Sequence, residues 1–236
     1  MNTNKPLNIT GYKDKHVYQS AGGITSTVYL MDCMDFLQQV PEKYFDLAVV
    51  DPPYGIGATK EMGLSDKRTG NRKVSKWGNK KWDDNRPGID YFSDLQKASK
   101  NTIVWGGNYF SDYLPASRCW LIWDKMQRID QADAELAWTS FNGSVRVFSF
   151  HVSKLIGFQN PNRFHPTEKP VPLYDWIYQN YAKPGQVILD THLGSGSNRI
   201  AAHKNNLEFV GVELDPEYFY ASVKRFEQYT SQLTLF

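Results

Sequence analysis

Apolar runs of four to seven residues, rich in β-branched and aromatic side chains, recur along this chain and alternate with helical patterns. That alternation constrains the fold most. Strands joined by helix-length crossovers pair in parallel, and a parallel sheet needs helices on both faces. Strands are predicted near Val28–Met31, Asp46–Val50, Thr102–Trp105, Trp120–Trp123, Glu135–Trp138, Val145–Phe150, Val187–Asp190 and Phe209–Glu213. Helices are predicted at Met34–Gln39, Tyr91–Ser99, Val171–Ala182, Asn198–Asn205 and Pro216–Tyr229, the last opened by an Asp215 cap and an N1 proline. Phe141-Asn142-Gly143-Ser144 lies between two predicted strands and reads as the turn of an antiparallel hairpin. The expectation is one α/β domain over residues 1–236, with a mostly parallel central sheet, a C-terminal antiparallel hairpin and helices on both faces.

Lys and Arg number 27 against 25 Asp and Glu, a net charge of +2, which excludes a uniformly basic nucleic-acid-binding arm but not a local patch. Cys33 and Cys119 cannot build a disulfide framework or a tetrathiolate metal centre, and no metal is expected. The polar N-terminal stretch has no apolar core of signal-peptide length, and the longest apolar runs are too short to span a bilayer. A cytoplasmic protein with no membrane partner is expected.

Two loops carry the chemistry. Asp51-Pro52-Pro53-Tyr54 follows an apolar strand, at the carboxyl end where open parallel sheets bind ligands. The prolines stiffen the turn. The Asp51 carboxylate and Pro52 carbonyl offer two acceptors for a planar amine, and Tyr54 offers a ring to stack on its heteroaromatic base. A solvated proline-rich turn would look the same in isolation. The second loop runs from Val187-Ile188-Leu189-Asp190 through Thr191-His192-Leu193-Gly194-Ser195-Gly196-Ser197 into a helix, a strand–glycine turn–helix unit that leaves backbone amides free. Arg199 stands where a dinucleotide fingerprint has its third glycine. Glu213, with Leu214 beside it, ends the next strand about 20 residues on, where an acid meets ribose hydroxyls.

Together these segments resemble the amino-group S-adenosylmethionine-dependent DNA methyltransferases, which act on adenine N6 or cytosine N4. Asp51–Tyr54 is similar to their catalytic motif, and Leu189–Ser197 to their cofactor loop, with Thr191 and His192 replacing the usual Pro-Phe. His165-Pro166-Thr167-Glu168-Lys169-Pro170 resembles the segment that helps hold the methionine end, and Tyr29-Leu30-Met31-Asp32-Cys33 the one whose acid contacts the adenine. The catalytic motif comes first and the cofactor loop last, the order of the permuted β-type subgroup. The resemblance implies a Rossmann-like methyltransferase fold with S-adenosyl-L-methionine as cofactor. The implied catalytic residues are Asp51, Pro52, Pro53 and Tyr54. The implied cofactor residues are Asp32, Cys33, Thr167, Lys169, Asp190, Thr191, Leu193, Gly194, Ser195, Gly196, Glu213 and Leu214. Asp190 could orient loop amides or meet the methionine ammonium, Lys169 could bind its carboxylate, and Cys33 and His192 by themselves read as packing residues. Asn108 is a further candidate for the cofactor pocket.

Between Lys60 and Arg86 stand nine basic residues against four acids, a net +5, with Trp77 and Trp82 interleaved. The 55–88 stretch reads as a DNA-contacting loop, with Arg68, Arg72, Lys73, Lys76, Trp77, Lys80 and Lys81 as contacts, and 150–164 as a short target-recognition segment. The expected reaction is direct methyl transfer to N6 of a flipped adenine in DNA, as in restriction-modification enzymes. Cytosine N4 transfer is the rival, followed by a nonenzymatic DNA-binding module. A homodimer and a cognate restriction endonuclease, or none in an orphan or phage-borne enzyme, remain open.

Overall fold

A computed structural model describes residues 6–57, 83–126, 132–151, 165 and 167–233. In chain order the elements are β1 (Asp14–Gln19), β2 (Thr25–Leu30), α1 (Cys33–Leu37), β3 (Phe45–Val50), α2 (Ile89–Ala98), β4 (Ser99–Trp105) and a 3-10 turn (Gly107–Phe110). There follow β5 (Trp120–Asp124), β6 (Ala134–Thr139), β7 (Arg146–Ser149), α3 (Val171–Tyr181), β8 (Val187–Asp190), α4 (Ser197–Lys204), β9 (Glu208–Glu213) and α5 (Pro216–Leu233).

Among the described residues the strands form one nine-stranded sheet in the order β1-β2-β9-β8-β3-β4-β6-β5-β7. Parallel pairing runs from β2 through β9, β8 and β3 to β4, so the expected mostly parallel sheet is present. Because strand side chains alternate faces, each strand serves two cores. Leu47 and Val49 of β3 face α3, α4 and α5 through Leu173, Ile177, Ala201 and Phe219. Ala48 and Val50 face α1 and α2 through Phe36, Tyr91, Phe92 and Leu95. Helices therefore cover both faces, which is why β3 is buried along its whole length.

The expected hairpin is corrected. β6 and β7 are not partners: β6 pairs antiparallel with β4 and β5, while β7 pairs parallel with the far side of β5. The tight hairpin turn needs positive φ at both central residues. Neither Asn142 nor Gly143 has it. β5 takes a neighbour on each side, leaving the exposed β7 at the edge. The sequence pattern also gave no sign of β1, an antiparallel partner of β2 whose residues alternate half-buried and exposed.

Arg199, in place of the third fingerprint glycine, is wholly buried. Its Nε donates to Ser26 Oγ at 2.8 Å and its guanidinium lies 3.9 Å from the Phe226 ring, so it fastens α4 to β2 and α5. Trp123 and Trp138 are core residues. No helix among the described residues is long and apolar enough to cross a membrane.

Candidate active site

β3 and β8 are neighbours, yet the chain leaves β3 toward β4 on one side and β8 toward β9 on the other. The crevice beyond their carboxyl ends is the place where such sheets bind ligands. A cavity of about 440 Å³ occupies it, lined among others by Asp32, Asp51, Lys169, Gly194, Glu213 and Tyr218. Of the expected cofactor residues, Cys33, Thr167, Thr191, Leu193, Ser195 and Leu214 also line it, while Asp190 and Gly196 do not. Of the catalytic motif, Asp51 and Pro53 face this same space. Asn108 is exposed and is not among the lining residues.

The Asp51 carboxylate is held on both oxygens. Tyr54 donates its hydroxyl to Oδ1 at 2.6 Å, and Lys169 Nζ donates to Oδ2 at 2.5 Å. Lys169 also lies 3.0 Å from Glu135 Oε2, whose other oxygen is 2.7 Å from Lys125 Nζ. Burial raises the Asp51 carboxyl above the ordinary range, with Glu135 adding to it and Lys169 opposing. Burial acts the same way on Glu135, but Lys169 and Lys125 outweigh it and hold that carboxyl down to about 2. On Lys169, burial works against the charge and the two carboxylates win, so its pKa rises. Sequence reasoning did not single out Glu135 or Lys125. The signal was there for the acid, since Glu135 is two residues before the buried Ala137 on the same strand and so shares its face.

Tyr54 is fixed by its surroundings. Its ring stacks on Tyr109 with centroids 4.9 Å apart and planes 15° apart, and Phe110 meets it edge-on. The backbone beside it is Gly106, whose φ is +67° and where an added Cβ would stand 2.2 Å from Tyr54 Cε1. Only glycine fits there.

The cofactor-type loop is held by acids rather than by a side-chain cap. Gly196, at φ 74°, stands at the head of α4. Asp190 accepts the His192 amide at 3.0 Å and the Asn198 side chain at 2.8 Å; of its two expected roles, the loop-orienting one fits this geometry. Burial pushes its carboxyl up to about 7, against the pull of those bonds. Glu213 accepts the Gly194 amide at 2.8 Å and the Asp215 amide at 2.9 Å, and burial raises it to about 6. Asp32 caps α1 through the Met34 amide at 2.7 Å. Thr191 and His192, in place of Pro-Phe, meet Tyr91: its hydroxyl is 2.6 Å from Thr191 Oγ1, and burial takes the imidazole down to about 4, leaving it neutral. Burial pushes the Cys33 thiol up to about 12, so it stays protonated. The basic residues Arg68, Arg72, Lys73, Lys76, Lys80 and Lys81, with Trp77 and nearly all of 150–164, lie outside the described residues.

The chain is similar in sequence to YubD of Escherichia coli strain K12, with 38% identity over 64 residues, 27% of this chain and 28% of that protein. The type II methyltransferase M2.DpnII of Streptococcus pneumoniae is 36% identical over 63 residues, 27% of this chain and 24% of that one. The matched stretch thus spans about a quarter of these relatives. Among solved structures, the complex of M1.HpyAVI with SAM superposes with a TM-score of 0.55 at 16% identity, covering 85% of this chain and 99% of that one. The cytosine-N4-specific PvuII DNA methyltransferase gives 0.59 at 14% identity and 94% of each chain, a likeness of fold. The DNA methylase family model matches residues 104–224, just over half of the sequence. This chain belongs to the DNA methylase family.

Proposed function

We propose that this protein methylates N6 of adenine in DNA, using S-adenosyl-L-methionine, and that it follows the permuted β-type order. One observation carries the reading: Asp51, at the end of β3, faces the same 440 Å³ cavity as Gly194 and Glu213 from the ends of β8 and β9. A volume of that size suits a nucleoside-sized ligand, and the acids Asp32, Asp51 and Glu213 on its wall suit a cationic one. Asp32 would meet the adenine, Glu213 the ribose, and the Thr167 and Leu193–Ser195 stretches the amino-acid end. When bound, S-adenosyl-L-methionine supplies an electrophilic methyl group.

The protein's share of the chemistry is positioning and electrostatics. An adenine amine conjugates into its ring and is a poor nucleophile. Asp51 and the Pro52 carbonyl accept its two hydrogens and turn the nitrogen lone pair out of that conjugation. Each carboxylate oxygen has two lone pairs, so Asp51 can accept the amine while still holding Tyr54 and Lys169. Burial makes Asp51 more basic than an ordinary carboxylate, which suits it to take the proton that the methylated amine releases. Tyr54, well above the ordinary phenol range through burial, stays a donor throughout. Lys169 is committed to Asp51 and Glu135, which favours setting the Asp51 charge over capturing the cofactor carboxylate. The target amine is out of reach within a stacked duplex, so the base is flipped. The basic 55–88 stretch contacts the phosphates and 150–164 adds recognition.

The test is incubation with tritiated cofactor and unmethylated genomic DNA, followed by nucleoside identification. N6-methyladenine is the expected product. N4-methylcytosine would move the assignment to the rival base, and no transfer would remove the enzyme reading.

A further inference from the structure

Prolines 52 and 53 have no backbone N–H, so beyond Asp51 the first N–H groups able to anchor the turn belong to Tyr54 and Gly55. Both go to one atom: Asp83 Oδ1 accepts Tyr54 N–H at 2.8 Å and Gly55 N–H at 3.0 Å. The Asp83 backbone carbonyl accepts Gly57 N–H at 3.1 Å. Asp83 is 2% exposed, although in the sequence it looks like a solvated acid closing a basic stretch.

Three residues on, Arg86 holds the other half of the same aromatic stack. Its Nη1 donates to the Tyr109 carbonyl at 2.7 Å and to Asp112 Oδ1 at 3.0 Å, and its guanidinium lies 4.6 Å from the Tyr113 ring. The close approach of the two stretches of chain is visible at Gly55, where an added Cβ would stand 3.1 Å from Arg86 N. Asp83 thus fixes the backbone that carries Tyr54, while Arg86 fixes the backbone that carries Tyr109.

We propose that Asp83 is a positioning residue for methyl transfer, clamping the turn so that the Pro52 carbonyl and the Tyr54 hydroxyl that holds Asp51 keep their places at the site, with Arg86 completing the clamp. This rests on the reading of Asp51–Tyr54 as the amine-methylating motif. Asp83 does not line the cavity; it acts through the Tyr54 and Gly55 amides. A neutral acceptor of the same shape does the same work, so Asp83→Asn retains the clamp and Asp83→Ala loses it.

Two measurements test this. In amide hydrogen exchange of the full chain, Tyr54 and Gly55 are protected in the wild type and in Asp83→Asn, and unprotected in Asp83→Ala. In turnover with tritiated cofactor and unmethylated genomic DNA, Asp83→Ala lowers kcat by about 100-fold, as expected for a reacting group displaced by about 1 Å. Its cofactor affinity, read by calorimetry, stays within about twofold, and Asp83→Asn recovers kcat to within about fivefold. Free exchange at both amides in the wild type would overturn the clamp. So would an Asp83→Ala enzyme of full kcat, an Asp83→Asn enzyme no better than alanine, or loss of cofactor affinity in step with kcat. If Asp83→Ala does not fold, the exchange of the wild type and the turnover of Asp83→Asn still decide. A wild type that transfers nothing to DNA sinks the reading of the motif, and the exchange measurement separately decides the clamp.

Discussion

Lys169 Nζ lies 2.5 Å from Asp51 Oδ2 and 3.0 Å from Glu135 Oε2, so one buried ammonium bridges the acid that follows β3 and an acid of β6. Removing it leaves two carboxylates short of their shared cation, and breaking a buried pair costs roughly 3–5 kcal/mol. Lys169→Met is therefore expected to lower the melting temperature by about 10 °C in calorimetry. It is also expected to lower turnover, because the Asp51 charge loses its partner.

Glu135 adds a signature at acid pH. Its folded carboxyl is held at about 2 against an ordinary 4.5, so its stabilisation is fully present above 4.5 and is lost as pH falls toward 2. That shift corresponds to about 3 kcal/mol. Glu135→Gln should flatten this limb of a stability-versus-pH curve; an unchanged limb would contradict the pairing.

Asp190 works in the opposite sense. Its folded carboxyl sits at about 7 against an ordinary 3.8, so the folded state keeps its proton longer than the unfolded state does. Stability is greatest below 3.8 from this group and declines as pH rises toward 7. Denaturant unfolding of Asp190→Asn across that window should show a shallower decline. Glu213, at about 6, predicts a companion effect on ligand binding. Affinity for a cationic nucleoside that favours the ionised carboxylate should be about tenfold weaker at pH 5 than at pH 8, and Glu213→Gln should remove that dependence.

Gly106→Ala drives a methyl group to 2.2 Å from Tyr54 Cε1 at a backbone φ of +67°. The ring or the turn must shift, beyond a backbone cost of about 1–2 kcal/mol. Turnover should fall by about 10- to 100-fold while calorimetric cofactor affinity is kept, because the cofactor loop lies on the other strand of the seam.

The basic stretch predicts a salt effect. Changing Lys76 or Lys80 to Ala should weaken DNA binding across all sequences. The slope of log affinity against log salt should fall by about one for each phosphate no longer neutralised. Equal slopes in a filter-binding titration would remove that residue from the interface.

Strand-end residues were legible because they sit at the junction of two periodicities. Asp51 after an apolar run and Gly194 before a helix are visible in one dimension, and the cavity brings them together as expected. Partners supplied from a distance were not. Lys125 and Asp83 look like ordinary surface charges, and the inward-facing Glu135 has no visible partner, until the sheet order sets β6 beside β4 and β5 and the chain returns residue 83 to Tyr54. The Asn142-Gly143 turn misled for the same reason: local turn chemistry favours a hairpin, and the need of β5 for two neighbours overrode it.

The sheet order also bears on how the molecule is made. β9 and β8 stand between β2 and β3, so the early strands cannot meet; each waits with an open edge for strands made more than 130 residues later. Such long-range closure is slow, and open edges invite pairing with other chains. A nascent chain therefore carries Asp51 on a half-built rim with no wall opposite it. That wall is built by β8 and β9, the same two strands that pair with the open edges of β3 and β2. A chain without β8 and β9 therefore lacks the Gly194 and Glu213 wall of the cavity as well as the pairing that closes the edges of β2 and β3.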